Sequence, residues 1–475
     1  MTIQPTPLLD RSAGSLAMPG AWYRQLTRYH WYVLIVAALG WLFDTMDQQL
    51  FVLARTPALT QLLGPEADVA RYSGYATTIF ILGWATGGLI FGMFGDRWGR
   101  ARTMMITILI YSLFTGLSAL SVSWWDFAFY RFVTGMGVGG EFAAGAALVA
   151  EVMPERARPF ALGLLQALSA VGNMMAAGVS FIIPPQMEAQ GIPGWRLLFL
   201  IGILPALLVV FIRTKLKEPQ SWTDAKAALA RGDHTDAAHQ QLGDMREMFR
   251  DRRWRHHTIV GVLLAMTGVM GVWGVAFWVP ELVRNNVLRD LPKGDQDWYA
   301  SMAMLIQNIG AFFGIWAFSR LTHVVGRRSA FAVSFVLAFA AIVMVFGFMR
   351  EPSQIWWMIP ILGFCTLMAF GGFAIYFPEL YPTRLRSTGT GFCYNVARYL
   401  AASAPFTLGL LVSLYRAPAG TERGDAGLAP FEFLSALGGV DSPFRYAAIT
   451  VASIYLLGLF ILPWMPETRG KALPQ

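Results

Sequence analysis

The stretch Gly40-Trp-Leu-Phe-Asp44-Thr-Met-Asp47-Gln48-Gln-Leu-Phe51 sets two aspartates three residues apart among apolar neighbours. A charge at the centre of a membrane helix costs about 2.5–3.5 kcal/mol on insertion scales. Carboxylates placed there are either offset by partners or are the working groups. A span that starts at Trp31 rises 1.5 Å per residue, so Asp44 stands just past its middle. Asp47 and Gln48 follow at i+3 and i+4, which predicts one shared face. Two other apolar segments also carry charge at depth. Glu141 lies midway between Arg131 and Glu151, and Arg398 lies near the centre of 387–414. Three carboxylates and a guanidinium cannot face lipid, so they are expected to converge on an interior cavity. A carboxylate held in such a cavity can take up and release a proton. A guanidinium there can hold an anion, bidentately if the anion is a carboxylate. Asp44, Asp47 and Glu141 are therefore candidate proton-coupling groups, and Arg398 a candidate anchor for an anionic small molecule. The alternative for each is an acid–arginine pair that only tethers helices.

These side chains need long apolar elements to hold them. The chain has 475 residues, 55% of them hydrophobic, and only 14% are charged, against about 25% in an average soluble domain. A spanning helix needs about 20 mostly apolar residues. Twelve segments qualify by eye: 31–54, 72–94, 103–122, 124–150, 158–183 and 195–212, then 257–283, 298–318, 328–349, 354–378, 387–414 and 443–465. The expected fold class is an all-α membrane protein, its twelve transmembrane helices set in two six-helix bundles. The expected order is a tail at 1–30, a bundle at 31–212, a polar linker at 213–256, a second bundle at 257–465 and a tail at 466–475. With both termini placed in the cytoplasm, most Lys and Arg residues fall on the inside, as the positive-inside rule requires. That distribution accounts for the net charge of +8 without nucleic acid. The N-terminal residues show no short apolar core with a cleavage site, so no removable signal peptide is expected.

Other polar residues in the spans are candidates to line the cavity: Gln48, Gln166, Asn173, Gln307, Asn308, Tyr376, Tyr394 and Asn395. Trp273, Phe277 and Trp278 offer rings for stacking. Helix packing or an interfacial belt would explain each of these equally well. The glycine run at 135, 137, 139 and 140 has the look of a dinucleotide turn, but it lies inside an apolar span with no strand before it. Close packing by small residues is the better reading. All six histidines fall in tails, linker or loops, and the two cysteines have no metal-ligand spacing, so neither a catalytic constellation nor a metal site is expected.

The loops repeat. Gly92-x-x-Gly95-Asp96-Arg97-x-Gly99-Arg100 follows the second segment, and Leu321-Thr-His323-Val-Val-Gly326-Arg327-Arg328 follows the eighth. His323 stands where Asp96 stands, so the second copy lacks the acid. Glu151-x-x-Pro154-x-Arg156-x-Arg158 is echoed by Glu379-x-x-Pro382-x-Arg384-x-Arg386. Lys217-Glu218-Pro219 is echoed by Pro466-Glu467-Thr468-Arg469-Gly470. These motifs resemble the loop signatures of the major facilitator superfamily, in particular its sugar-porter and metabolite–proton symporter branches, over nearly the whole chain. Asp44-x-x-Asp47 resembles the first-span pattern of sialate and aromatic-acid symporters. Gly139-Gly140-Glu141 and Asn395-x-x-Arg398 are similar to patterns of that branch in spans 4 and 11.

The resemblance implies a secondary active transporter, working by alternating access and taking up a small organic anion or sugar-like metabolite with protons. It implies no enzyme activity, no cofactor beyond the proton, a monomer, and residence in a bacterial inner membrane. It assigns Asp96, Arg97, Arg100, Arg131, Glu151, Arg156, Glu379, Arg384 and Arg386 to gates at helix ends. Proton-driven efflux, an uncoupled facilitator and a transporter-like sensor are the alternatives. The fifth segment lacks the Gly-Pro pair usual in drug antiporters, and the segment after Glu467 is short for a signalling tail.

Overall fold

The computed structural model describes residues 22–64, 69–183, 185, 187–189, 191–207, 216–231, 242–401, 404–415 and 443–474. Within them the chain is helical almost throughout. α1 (Arg28–Leu63) starts at Thr27, where the His30 N–H donates to the threonine hydroxyl and the Thr27 N–H donates to the His30 ring. α2 (Val69–Trp98) turns sharply into α3 (Arg100–Ser118). The turn residue Gly99 has φ 115°, a conformation that side chains with a Cβ resist. α4 (Trp124–Val152) starts at Ser123, which exchanges hydrogen bonds with Asp126. α5 (Arg158–Ile182) leads through a two-residue antiparallel hairpin, Glu188–Ala189 against Ile192–Pro193, to α6 (Gly194–Ile201).

Two short helices, α7 (Gln220–Arg231) and α8 (Met245–Arg250), lie in the predicted linker. α9 (Arg252–Gly274) then breaks before the single turn α10 (Val279–Leu282), where Pro280 sits at the start of the new turn. α11 (Lys293–Val325) meets α12 (Arg327–Ile342) at Gly326, φ 86°, which repeats the Gly99 turn. α13 (Pro352–Leu380), α14 (Arg386–Ala401), α15 (Ala404–Leu414), α16 (Pro443–Ala452) and α17 (Ile454–Ile461) complete the order.

Among the described residues, nine helical stretches are long and apolar enough to cross a membrane. They match predicted spans 2–5, 7–10 and 12. The other three predicted spans fall short for separate reasons. α1 is continuous, but its aspartates and glutamines lower its hydropathy. Span 6 runs into 208–215, outside the described residues. Span 11 falls on α14 and α15, with 402–403 outside the described residues, and α14 carries many polar residues. The predicted loop 415–442 lies outside the described residues, apart from Tyr415.

Small residues bring helices into backbone contact. A Cβ on Gly83 or Gly87 of α2 would overlap the carbonyls of Phe132 and Met136 on α4, and one on Gly135 or Gly139 would overlap α2 in turn. Gly310 and Gly314 of α11 meet Pro360 and Phe364 of α13 in the same way. These contacts confirm the packing reading of the glycine run. The two halves of the chain join where α2 packs on α14 and where α5 packs on α11, which are matching positions in the repeat.

Candidate functional site

A cavity of about 660 Å³ lies between the halves. Of the candidate polar residues, Gln48, Gln166, Asn173, Tyr394 and Arg398 line it. Rings of Trp41, Phe80, Trp84, Trp273, Trp278 and Phe370 form much of the rest. Arg398 is only 5% exposed. Its guanidinium lies 3.8 Å from the Trp84 ring centre and 3.9 Å from that of Tyr394, so it is held between two aromatic faces. Asn395 orients it: the arginine Nη1 donates to the Asn395 Oδ1 at 2.7 Å, and the amide Nδ2 donates to the Gly391 carbonyl at 2.7 Å. The guanidinium has five N–H donors, which leaves several to meet a guest.

Four candidates do not line the cavity. Asn395 sits behind Arg398 and positions it. Asn308 accepts from Asn173 Nδ2 at 3.0 Å and so stands one contact back. Gln307 donates to the Ala276 carbonyl at 3.1 Å, tying α11 to the break after α9. Tyr376 is far from the cavity wall, since its hydroxyl donates to the Pro466 carbonyl at the loop-motif end. Phe277's side chain lies outside the described ones. Sequence reading missed Arg55, Glu281 and Arg284, which line the cavity's mouth. All three fall at or beyond the ends of the apolar runs, where charge is ordinary and gives no signal.

The buried acids correct a second expectation. Asp44, Asp47 and Glu141 are 0%, 0% and 1% exposed, and none lines the cavity. The i, i+3, i+4 spacing predicts one face, but the cavity crosses that face at its edge. Gln48 is in the wall while both aspartates turn into the first half. Asp47 Oδ2 faces Arg131 Nη1 at 3.9 Å. Arg131 donates through Nη2 to the hydroxyls of Ser118 at 2.7 Å and Thr134 at 3.1 Å, and it lies 4.7 Å from the Phe199 ring centre. It is therefore the charge partner of Asp47. Glu141 rests on bare α1 backbone, because a Cβ on Gly40, one turn before Asp44, would overlap its Oε1. The carboxylate oxygens of Asp44 and Glu141 have no hydrogen-bond partner among the described residues.

The loop motifs form a charge chain at one end of the molecule. Asp96 accepts from the N–H groups of Ser387 at 3.1 Å and Thr388 at 2.8 Å, and from the Thr388 hydroxyl at 2.6 Å. It thus caps α14, an element of the other half. Asp96 also pairs with Arg100 at 3.0 Å, Arg100 with Glu151 at 3.0 Å, and Glu151 with Arg386 at 2.8 Å. The linker helices brace this chain. Trp222 Nε1 donates to the Asp96 carbonyl at 2.6 Å, and Arg384 pairs with Glu247 at 2.6 Å. Arg97 is exposed and donates to the Leu242 carbonyl, while Arg156 is exposed with no ion pair among the described residues.

The second half repeats the chain only in part. Glu379 holds Arg327 through two bonds, at 2.6 and 3.0 Å. His323, in place of the acid, packs its ring at a tilt against Phe160 of α5 with ring centres 5.4 Å apart. Glu218 accepts from the N–H groups of Ala101 and Arg102 at the start of α3, and Glu467 accepts from those of Arg327 and Arg328 at the start of α12. Burial works against the charge of Glu467. The backbone donors Arg327, Arg469 and Arg328, with the Arg327 charge, outweigh it and hold the carboxyl below its ordinary value.

A bundle of apolar helices, a central cavity between two repeated halves and a charge-locked end define an integral, multi-pass membrane transporter. The chain matches the Major Facilitator Superfamily over residues 35–405, and it belongs to that family. It is 30% identical over 345 residues to a cis,cis-muconate transport protein of Acinetobacter baylyi, covering 72% of this chain and 78% of that one. It is 28% identical over 399 residues to a sialic acid transporter of Escherichia coli, covering 82% and 89%. The proton:xylose symporter XylE of E. coli shares the fold, with a TM-score of 0.70 at 17% identity over 94% of this chain and 98% of that one.

Proposed function

We propose that this protein imports a small organic anion together with protons, by alternating access, across a bacterial inner membrane. The observation that carries this reading is Arg398: a buried guanidinium clamped between two rings on the wall of an aromatic cavity, with Asp44 and Glu141 buried close behind. An anionic guest would satisfy the guanidinium bidentately, and the rings suit a flat or unsaturated body. Gln48, Gln166 and Asn173 would hydrogen-bond its other groups. The relatives named for muconate and sialic acid support an acid as cargo. Two buried carboxyls without hydrogen-bond donors among the described residues favour keeping a proton, which Asp44 and Glu141 would exchange as the cavity changes sides. Asp47 would take part through Arg131. The lock from Asp96 to Arg386 would hold the cytoplasmic end shut while the cavity faces outward. Residues 31–212 and 257–465 would rock as two units around the fixed site, joined by the 213–256 linker, with both termini inside and a monomer as the working form.

The test is uptake of labelled aromatic acids, short carboxylates, sialic acid and hexoses into energised vesicles. Accumulation should collapse with a protonophore. Asp47→Asn and Glu141→Gln should reduce it to equilibration, and Arg398→Ala should weaken apparent affinity about 30-fold or more. Uptake indifferent to the protonophore and to both acid substitutions would make the buried carboxylates tethers and overturn the coupling.

A further inference from the structure

We infer that Arg55 forms a second anion subsite at the cavity mouth, so that the preferred cargo is a bipolar dianion with one acid group at Arg398 and the other at Arg55. This rests on the reading of the cavity as a carboxylate site. Arg55 and Arg398 line one continuous space. Arg55 Nη1 donates to Thr77 Oγ1 of α2 at 2.6 Å, and Arg398 lies on Trp84 of the same helix. Seven residues of α2 separate these two stations, which is about 10 Å of rise. Phe51, Phe80 and Trp84 wall the interval, with Trp273 opposite. The slot is thus cationic at both ends and aromatic between.

The charges of the wall favour two negative groups on the guest. Arg55, Arg284 and Arg398 face the cavity together with a single acid, Glu281. Arg55's hydrogen bond is to a neutral hydroxyl, and it makes no ion pair within 4.0 Å among the described residues. Most of its five donors therefore remain for a ligand. Glu281, on α10, is the acid whose charge acts on Arg55, but it makes no direct ion pair with it, so the Arg55 donors stay open to the cavity. A monoanion at Arg398 would leave the open donors of Arg55 unused. A rigid dicarboxylate would meet both guanidiniums without folding, at little cost in conformational entropy.

The experiment compares terephthalate with benzoate, a matched dianion and monoanion, for binding to the detergent-purified full-length protein by calorimetry. Terephthalate should bind about tenfold tighter, equal to ~1.4 kcal/mol. Arg55→Gln should shrink that preference to about threefold or less, and Arg55→Lys, which keeps the charge, should retain most of it. Benzoate binding by each variant reports that the fold persists. Equal affinities in the wild type, or a preference that survives Arg55→Gln, would overturn the second subsite while leaving the carboxylate reading intact. If neither acid bound the wild type, the carboxylate reading itself would fail, and the subsite with it.

Discussion

At the scale of single residues, the molecule separates two uses of a carboxylate. Some are wrapped in donors, and some are left without them. Glu467 belongs to the first kind, with four backbone N–H groups, of Arg327, Arg328, Thr468 and Arg469, donating to its carboxylate. A carboxyl held below its ordinary value of 4.5 contributes stability that is complete above that value. The contribution is lost as pH falls through the lower native value. Glu467→Gln should therefore lower the melting temperature by roughly 1–3 °C at neutral pH. That difference should stay constant down to about pH 5 and shrink in more acid solution. A difference that persisted unchanged in acid would show that the loss is one of shape and not of charge. Asp44 and Glu141 belong to the second kind, and their lack of donors suits groups that change protonation as they work.

At the scale of elements, capping is the device that joins the halves. The Asp96 carboxylate does for α14 what a residue of α14's own chain segment usually does for a helix start. The closed end therefore depends on one side chain that the other half cannot replace. Removing one partner of a buried charge pair costs about 3–5 kcal/mol. Asp96→Asn should shift the protein toward opening at this end, seen as longer spin-label distances between the ends of α2 and α14. An unchanged distance distribution would mean that Glu151 and Arg386 hold the lock alone. Gly87 tests the packing within one half. Its Cβ would overlap the Met136 carbonyl, which belongs to rigid backbone, so Gly87→Val should reduce folded yield and melting temperature sharply.

At the scale of the whole molecule, the repeat is unequal. Asp96, Arg100 and Glu151 of the first half reach across to Arg386 of the second, whereas Arg327 and Glu379 pair within the second half and its His323 ring lies tilted against Phe160 of the first. The cavity opens away from this charged end, past Arg55 and Thr56. With the termini in the cytoplasm, Thr56→Cys should react with a membrane-impermeant thiol reagent added outside intact cells, and cargo should protect it. The natural Cys365 and Cys393 are buried and should not react. Labelling only in inverted vesicles would reverse the orientation.

The apolar runs, their length and the repeated loop motifs determined the membrane class and most helix positions, because a bilayer demands long apolar segments whatever the packing. The same logic picked out Asp44, Asp47, Glu141 and Arg398, since charge inside such a segment is costly and therefore informative. Which groups face which space was decided only by tertiary structure. Helical spacing put Asp44, Asp47 and Gln48 on one face, but the crossing of α1 with α4 and α5 turned the aspartates inward and left Gln48 on the wall. Tyr376 shared the polarity of a cavity residue, yet its place along α13 set it beside the Pro466 carbonyl. Arg131 resembled a gate residue by motif, and the packing of α1 on α4 made it the partner of Asp47. Arg55 gave no signal at the edge of an apolar run and became visible only when α2 brought Thr77 against it. One-dimensional spacing fixes depth in the membrane, whereas direction depends on how helices cross.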